Sequence, residues 1–270
     1  MRGAPVATAL LAALALAAAP ARAKDVDRAK DVDATDVTES GLHAALTHTR
    51  GGDKDARVAY VGLSSSHVGF GYEKPGTIRV INTGAIAFGE HGIEGGLGNA
   101  VAGGVRVPFG KNHGLVVRGG GELTFFGNRY LWYSLFELPQ LQLGYQWLVP
   151  NRVADVAMKG GYVLLGRHNT GESGVRDLAG SPEWGAIGSL HLGPIDLRAT
   201  FTRIYPRHGG TPVNVFDAAF CGNPLPLTLC TDIRYETGDV RLPDGALRDA
   251  RVSYVGMTLG FLFDKKKKQP

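Results

Sequence analysis

Beyond its first two dozen positions the chain has no run of about eighteen apolar residues and no long helical period, which excludes crossing a membrane as helices. It has two cysteines, Cys221 and Cys230, with no His or Cys cluster beside them. A metal centre needs further ligands at suitable spacing, so no metal is read. No sign of charge dominates either. The formal net charge is +4, but Arg2 and Arg22 belong to the apolar start and Lys265, Lys266, Lys267 and Lys268 to the extreme end, so the body is slightly acidic. That excludes the basic footprint of a nucleic-acid binder. The glycine-rich stretch "GGLGNAVAGG" lacks the following helix and the Lys-Ser/Thr of a phosphate loop, so no cofactor is read.

What is present begins with "MRGAPVATALLAALALAAAPARA": a basic start, a short apolar stretch and an A-R-A ending. That is the anatomy of a secretory signal peptide over 1–23, with cleavage after Ala23. In an exported chain, Cys221 and Cys230 in the Pro-rich "CGNPLPLTLC" read as a loop-closing disulfide. Residues 24–55 are charged, poor in aromatics and contain "AKDVD" twice, so they read as a mobile leader. Residues 56–263 read as one β domain and 264–270 as a basic tail.

From Ala56 onward glycine is abundant and apolar residues alternate with period two. Strands are expected at 76–88, 97–108, 114–126, 138–149, 153–166, 184–192, 195–205 and 251–263. A hairpin within 56–72 makes the count ten instead of eight. Tight links "FGKNHG", "VPNR" and "LGP" take turns with long ones at 127–137, 167–183 and 206–250, the pattern of a barrel with short turns on one rim and loops on the other. The fold class is therefore all-β, a closed antiparallel up-and-down transmembrane β-barrel of eight strands, or ten with that hairpin.

One face of these strands carries Arg106, Arg118, Glu122, Gln140, Gln142, Gln146, Asp155, Lys159, His191, Asp196 and Arg198, interleaved with glycines. Glycine is disfavoured on an ordinary solvent-facing sheet but suits a crowded interior, where long polar side chains cross the lumen and lie against it. The opposite face, with Val117, Leu143, Val156, Met158, Leu197, Phe201, Met257 and Leu259, is nearly free of charge and reads as facing lipid. Phe109 and Trp147 sit near tight turns; Tyr130, Trp132, Tyr133, Trp184 and Tyr205 sit near long links, as two interfacial girdles would. The expected interior network is Arg106, Arg118, Glu122, Gln142, Asp155, Lys159 and Arg198.

The last strand contains "YVGMTLGFLF", which resembles the C-terminal assembly signal of bacterial outer-membrane β-barrels through Tyr254, Gly256, Leu259, Phe261 and Phe263. The resemblance implies outer-membrane localisation, recognition by the barrel-assembly machinery, and closure between this strand and the first. The chain departs from that pattern by continuing into "DKKKKQP", read as a solvated tail.

The partners expected are outer-membrane lipid and the assembly machinery, with any ligand of the external loops unidentified. The function expected is structural, adhesive or surface-recognising, with at most a narrow pore, and no catalytic residue is assigned. Two rivals are kept. "GRHNTGES" is faintly similar to outer-membrane lipid A deacylases, with His168, Thr170 in place of their serine, and Glu172 or Glu183 as the carboxylate. The other rival is a secreted soluble barrel with an apolar ligand cavity.

Overall fold

The computed structural model describes residues 35–51, 54–70, 77–89, 92–127, 132–149, 152–169, 174–192, 195–222 and 227–264. The expected signal segment, the first part of the leader and the lysine run lie outside them, as do Tyr130, Thr170 and Glu172. The side chains of Trp132, Tyr133, His168, Phe261 and Phe263 are also outside the description.

All regular structure among the described residues is β. The strands are β1 (Thr35–Gly51), β2 (Lys54–Phe70), β3 (Thr77–Gly89), β4 (Gly92–Pro108), β5 (His113–Gly127), β6 (Trp132–Val149) and β7 (Arg152–Asn169). Then come β8 (Val175–Asp177), β9 (Ser181–Leu192), β10 (Ile195–Ile204), β11 (Val213–Gly222), β12 (Leu227–Arg241) and β13 (Leu247–Asp264). Every pairing is antiparallel and joins sequence neighbours, except that β7 also pairs β9 past the three-residue β8, that β8 touches β12 through Val175 and Arg241, and that β13 returns to β1. With β11 also paired to β12, the pairings of the twelve long strands run in a ring and none of them keeps a free edge.

The sheet thus has more strands than the alternation alone yields. β1 lies in the stretch read as a mobile leader, and residues 56–72 contribute to one long strand, β2, in place of a hairpin. The long link expected at 206–250 contains β11 and β12. Following the strand directions, the start of β1, the end of β13 and the links β2–β3, β4–β5, β6–β7, β9–β10 and β11–β12 fall on one rim. The remaining links fall on the other.

Two tight turns show how sequence sets the connections. At the first rim Phe109 N donates to His113 O at 3.0 Å, and Gly110 takes φ 85°, a left-handed conformation that costs glycine nothing. At the second rim "LPDGA" reverses the chain between β12 and β13. There Leu242 N donates to Ala246 O at 2.9 Å, with Gly245 at φ 85°.

The two faces of the strands differ in the reverse sense of a soluble protein. Leu141, Leu143 and Met158 are 65%, 62% and 55% exposed, whereas Arg118, Glu137 and Lys159 are 4%, 2% and 5% exposed. Charge is inside and aliphatic surface is outside. Near the second rim the inward face is apolar among the described residues, where Val163, Leu178, Ile204, Val213 and Val215 pack into a small dry core.

Candidate functional site

Register places the interior side chains in rows. Arg118 on β5 lies opposite Gln142 on β6, Gln142 opposite Lys159 on β7, and Lys159 opposite Gly185 on β9. Period-two geometry then points all four positions to the same, inward side. A Cβ on Gly185 would meet the Phe201 carbonyl oxygen and come within 3.1 Å of Lys159 Cε, so the absence of a side chain makes room for the lysine stem. Arg106 uses Gly114 in the same way: a Cβ there would lie 2.7 Å from its Cζ.

Two linked clusters follow. In the first, Arg118 grips Asp155 with both terminal nitrogens, Nη1 reaching Oδ1 at 3.1 Å and Nη2 reaching Oδ2. Gln146 donates to Asp155 Oδ2 at 3.1 Å. In the second, Lys159 Nζ lies 3.3 Å from Glu137 Oε2 and 3.7 Å from Glu183 Oε1, while Gln140 Nε2 donates to Glu137 at 2.7 Å. Gln142 joins them, donating to Gln140 Oε1 at 3.1 Å and accepting from Arg118 at 3.5 Å. Burial of these charges is offset by the opposite charge that each has in reach, and for Asp155 and Glu137 by an amide donor as well.

Across the interior, Arg234 on β12 pairs with Asp217 on β11 at 3.0 Å and with Glu236 Oε2 at 3.6 Å. Arg176 comes in from β8 to pair with Glu236; its Nη2 also donates to Gly238 O at 2.7 Å and its Nε to Asp239 O at 2.9 Å. Beside this staple a cavity of about 480 Å³ opens at the second rim among Arg176, Asp177, His208, Thr211, Asp239 and Arg241.

Of the seven interior residues named from sequence, the structure brings Arg118, Gln142, Asp155 and Lys159 into direct chains of contact. Glu122 sits on β5 within electrostatic range of Glu137, Lys159, Asp217 and Arg234. Arg198 lies apart on β10, near Asp232, and Arg106 lies over Gly114 toward the first rim. Cys221 and Cys230 form a disulfide, but as directly opposed residues of β11 and β12 near the first rim, not as the clasp of an external loop.

Sequence reading leaves out Glu137, Asp217, Arg234, Glu236 and Arg176. Glu137 is out of phase with Gln140, Gln142 and Gln146, and a double register shift between Phe136 and Gln140 turns it inward. The only signal for such a shift is the Leu138-Pro139 step, since proline within a sheet favours bulges.

No protein-family model matches the chain, and no curated protein matches it. Three solved structures illustrate the likeness found. The toluene transporter TodX of Pseudomonas putida is 9% identical, with TM-score 0.34, over 88% of this chain and 92% of that one. The monoaromatic hydrocarbon channel CymD is 8% identical, with TM-score 0.37, over 92% of each chain. OccAB3 of Acinetobacter baumannii is 9% identical, with TM-score 0.26, over 84% of this chain and 99% of that one. Likeness at this level assigns neither ligand nor activity.

Proposed function

We propose that the chain is an integral outer-membrane β-barrel whose interior carries a narrow, charge-lined aqueous passage. The observation that carries this reading is the reversed burial: ion pairs sealed inside a ring of strands, with leucines and methionines presented outward. Exposed apolar surface on that scale is disfavoured in water, whereas lipid makes it the favourable arrangement. Strand spacing of about 4.8 Å and a tilt of about 40° give a twelve-stranded ring about 24 Å across its backbones. An eight-stranded ring, about 16 Å across by the same arithmetic, is the size that side chains just fill. The extra cross-section is consistent with solvent space inside. Asp217 and Arg234 point inward by register, yet their side chains remain 40% and 27% exposed.

The rivals lack this support. A lipid A hydrolase needs a carboxylate within hydrogen-bond reach of His168. Glu183 pairs with Gly161, seven residues back along β7, roughly 23 Å at 3.3 Å per residue, and is engaged with Lys159. A soluble ligand carrier would place its apolar face inward.

The test is purification with and without detergent, heat-modifiable gel migration, and conductance in planar bilayers. The outcome expected is detergent dependence, a heat-sensitive fast-migrating form and small discrete current steps. Export of a dispersed protein that needs no detergent would refute the membrane reading, and a folded protein with no conductance would refute the passage.

A further inference from the structure

At the second-rim end of β10 the outward face carries a charge where the rest of that face is apolar. Thr202 and Ile204 are buried on the inner side, so Arg203 between them points outward. Its cross-strand neighbours are Trp184 on β9 and Asn214 on β11, neither of them charged. The guanidinium lies over the Tyr205 ring, Cζ standing 5.6 Å from the centroid, a cation–π contact that steadies it. Among the described residues its enclosed Nε has no hydrogen-bond partner and no carboxylate pairs with it. A positive charge at the edge of hydrocarbon, with a covered donor and no anion, is unfavourable unless an acceptor reaches it from outside the chain. Tyr205 Oη accepts from Trp184 Nε1 at 2.9 Å, which leaves the Tyr205 hydroxyl proton as a second donor beside the guanidinium.

We propose that Arg203, with the Tyr205 hydroxyl and the Trp184 ring beside it, binds the phosphate of an anionic membrane lipid in the leaflet that meets the second rim. A phosphate diester offers the oxygens that a guanidinium fork engages, and at an anionic membrane surface it is the abundant anion. The wall toward the first rim suits an acyl chain. Beyond Trp184 the next outward positions of β9 are Ala186 and Gly188, and Ala199 of β10 stands opposite Gly188, so no bulky side chain rises from these three positions. The inference rests on the membrane reading above and specifies which lipid this face holds.

The experiment uses the full chain with Trp132→Phe and Trp147→Phe, which keeps Trp184 as its one tryptophan. In phosphatidylcholine vesicles it is titrated with phosphatidylglycerol or phosphatidylcholine carrying brominated acyl chains, and quenching of Trp184 reads relative binding. Phosphatidylglycerol is expected to bind about fivefold more tightly at low salt, the effect of one arginine near an anionic surface. That preference is expected to shrink at about 1 M salt, where screening is stronger. Arg203→Gln is expected to abolish it. Arg251→Gln, at an outward arginine three strands away that pairs with Asp249 at 3.0 Å, is expected to leave it unchanged. Each variant is first shown to keep heat-modifiable migration and to float with the vesicles. Equal quenching by the two lipids in floated protein would overturn the lipid site while leaving the membrane reading standing. So would a preference that survives Arg203→Gln, or one that falls as far in Arg251→Gln. Abolition of the preference by added inorganic phosphate would assign the site to a free anion and overturn the lipid proposal too. Protein that does not float with the vesicles would overturn the membrane reading itself.

Discussion

The Arg118–Asp155 pair shows why the interior charges matter one residue at a time. Each member is about 95% enclosed, and among the described residues the other side chain that donates to Asp155 is Gln146. Arg118→Met therefore leaves a desolvated carboxylate with a single amide donor, at a cost of about 3–5 kcal/mol. The double variant Arg118→Met with Asp155→Leu removes both charges and is expected to recover most of that loss, since a buried pair is worth little net against apolar groups of similar volume. Equilibrium urea unfolding in detergent micelles measures both. Equal destabilisation of the single and double variants would show that the pair stabilises beyond the relief of unpaired charge. Gly144 has a steric counterpart. A Cβ there would stand 2.6 Å from Ala157 Cβ and press on the Val156 carbonyl, so Gly144→Val is expected to cost roughly 1–3 kcal/mol through overpacking. At Gly222 a Cβ would meet no atom within 4 Å, so Gly222→Ala is expected to fall within about 0.5 kcal/mol of wild type.

At the scale of elements, β8 is the feature that sequence periodicity does not announce. Three residues pair with the far end of β7 and, through Val175, with Arg241 of β12, so β8 bridges two long strands beyond the ends of the shorter β9, β10 and β11. So short a strand contributes little pairing of its own. Arg176 fastens it, through Glu236 and the carbonyls of Gly238 and Asp239. Arg176→Leu is expected to release the β7–β9 connection while the ring stays paired. Limited proteolysis of protein in liposomes would then cut that connection several-fold faster, with heat-modifiable migration unchanged; an uncut variant would show that the dry core around Leu178 suffices to hold it. That same core explains why β11 is hard to read from sequence. Over most of the wall, inward polar and outward apolar residues alternate, and the strands from β5 to β7 and β13 follow from that contrast. In β11, Val213 and Val215 point into the dry core while Phe216 and Phe220 point outward, so both faces are apolar and the period-two signal disappears. β12 does alternate, with Leu229, Ile233 and Tyr235 outward against Cys230, Arg234 and Glu236 inward, but the prolines and paired cysteines before it mimic a loop. β1 is obscured because its outward row carries only Leu42, Ala44 and Leu46 among charged and hydroxyl neighbours.

For the whole molecule, the decisive quantity is the height of the outward apolar band. Aromatic side chains mark its edges. Phe109, Tyr145 and Trp147 lie near the first rim, with Phe109 and Tyr145 ring centroids 6.1 Å apart. Tyr162, Trp184 and Tyr205 lie toward the second, where Trp184 Nε1 donates to Tyr205 Oη at 2.9 Å. Trp147 pairs with Ala154, eight residues before Tyr162 on β7. That is about 26 Å along the strand and about 20 Å of height at a 40° tilt, close to the roughly 25 Å apolar band of outer-membrane barrels. Leu143 and its partner Met158 fall midway between these markers and are among the most exposed large hydrophobic side chains described. A charge there has to be desolvated by hydrocarbon, so Leu143→Arg is expected to lower the stability of the lipid-inserted protein by about 2–4 kcal/mol, against about 0–1 kcal/mol for Phe109→Arg at the interface. Reversible unfolding from lipid vesicles measures the difference. In water the difference vanishes, since an arginine replacing a solvent-exposed apolar side chain costs almost nothing at either position. Depth dependence, with the penalty largest at Leu143 and smallest at Phe109, therefore separates a lipid-facing band from an exposed apolar surface in solution, and equal penalties at the two positions would contradict insertion.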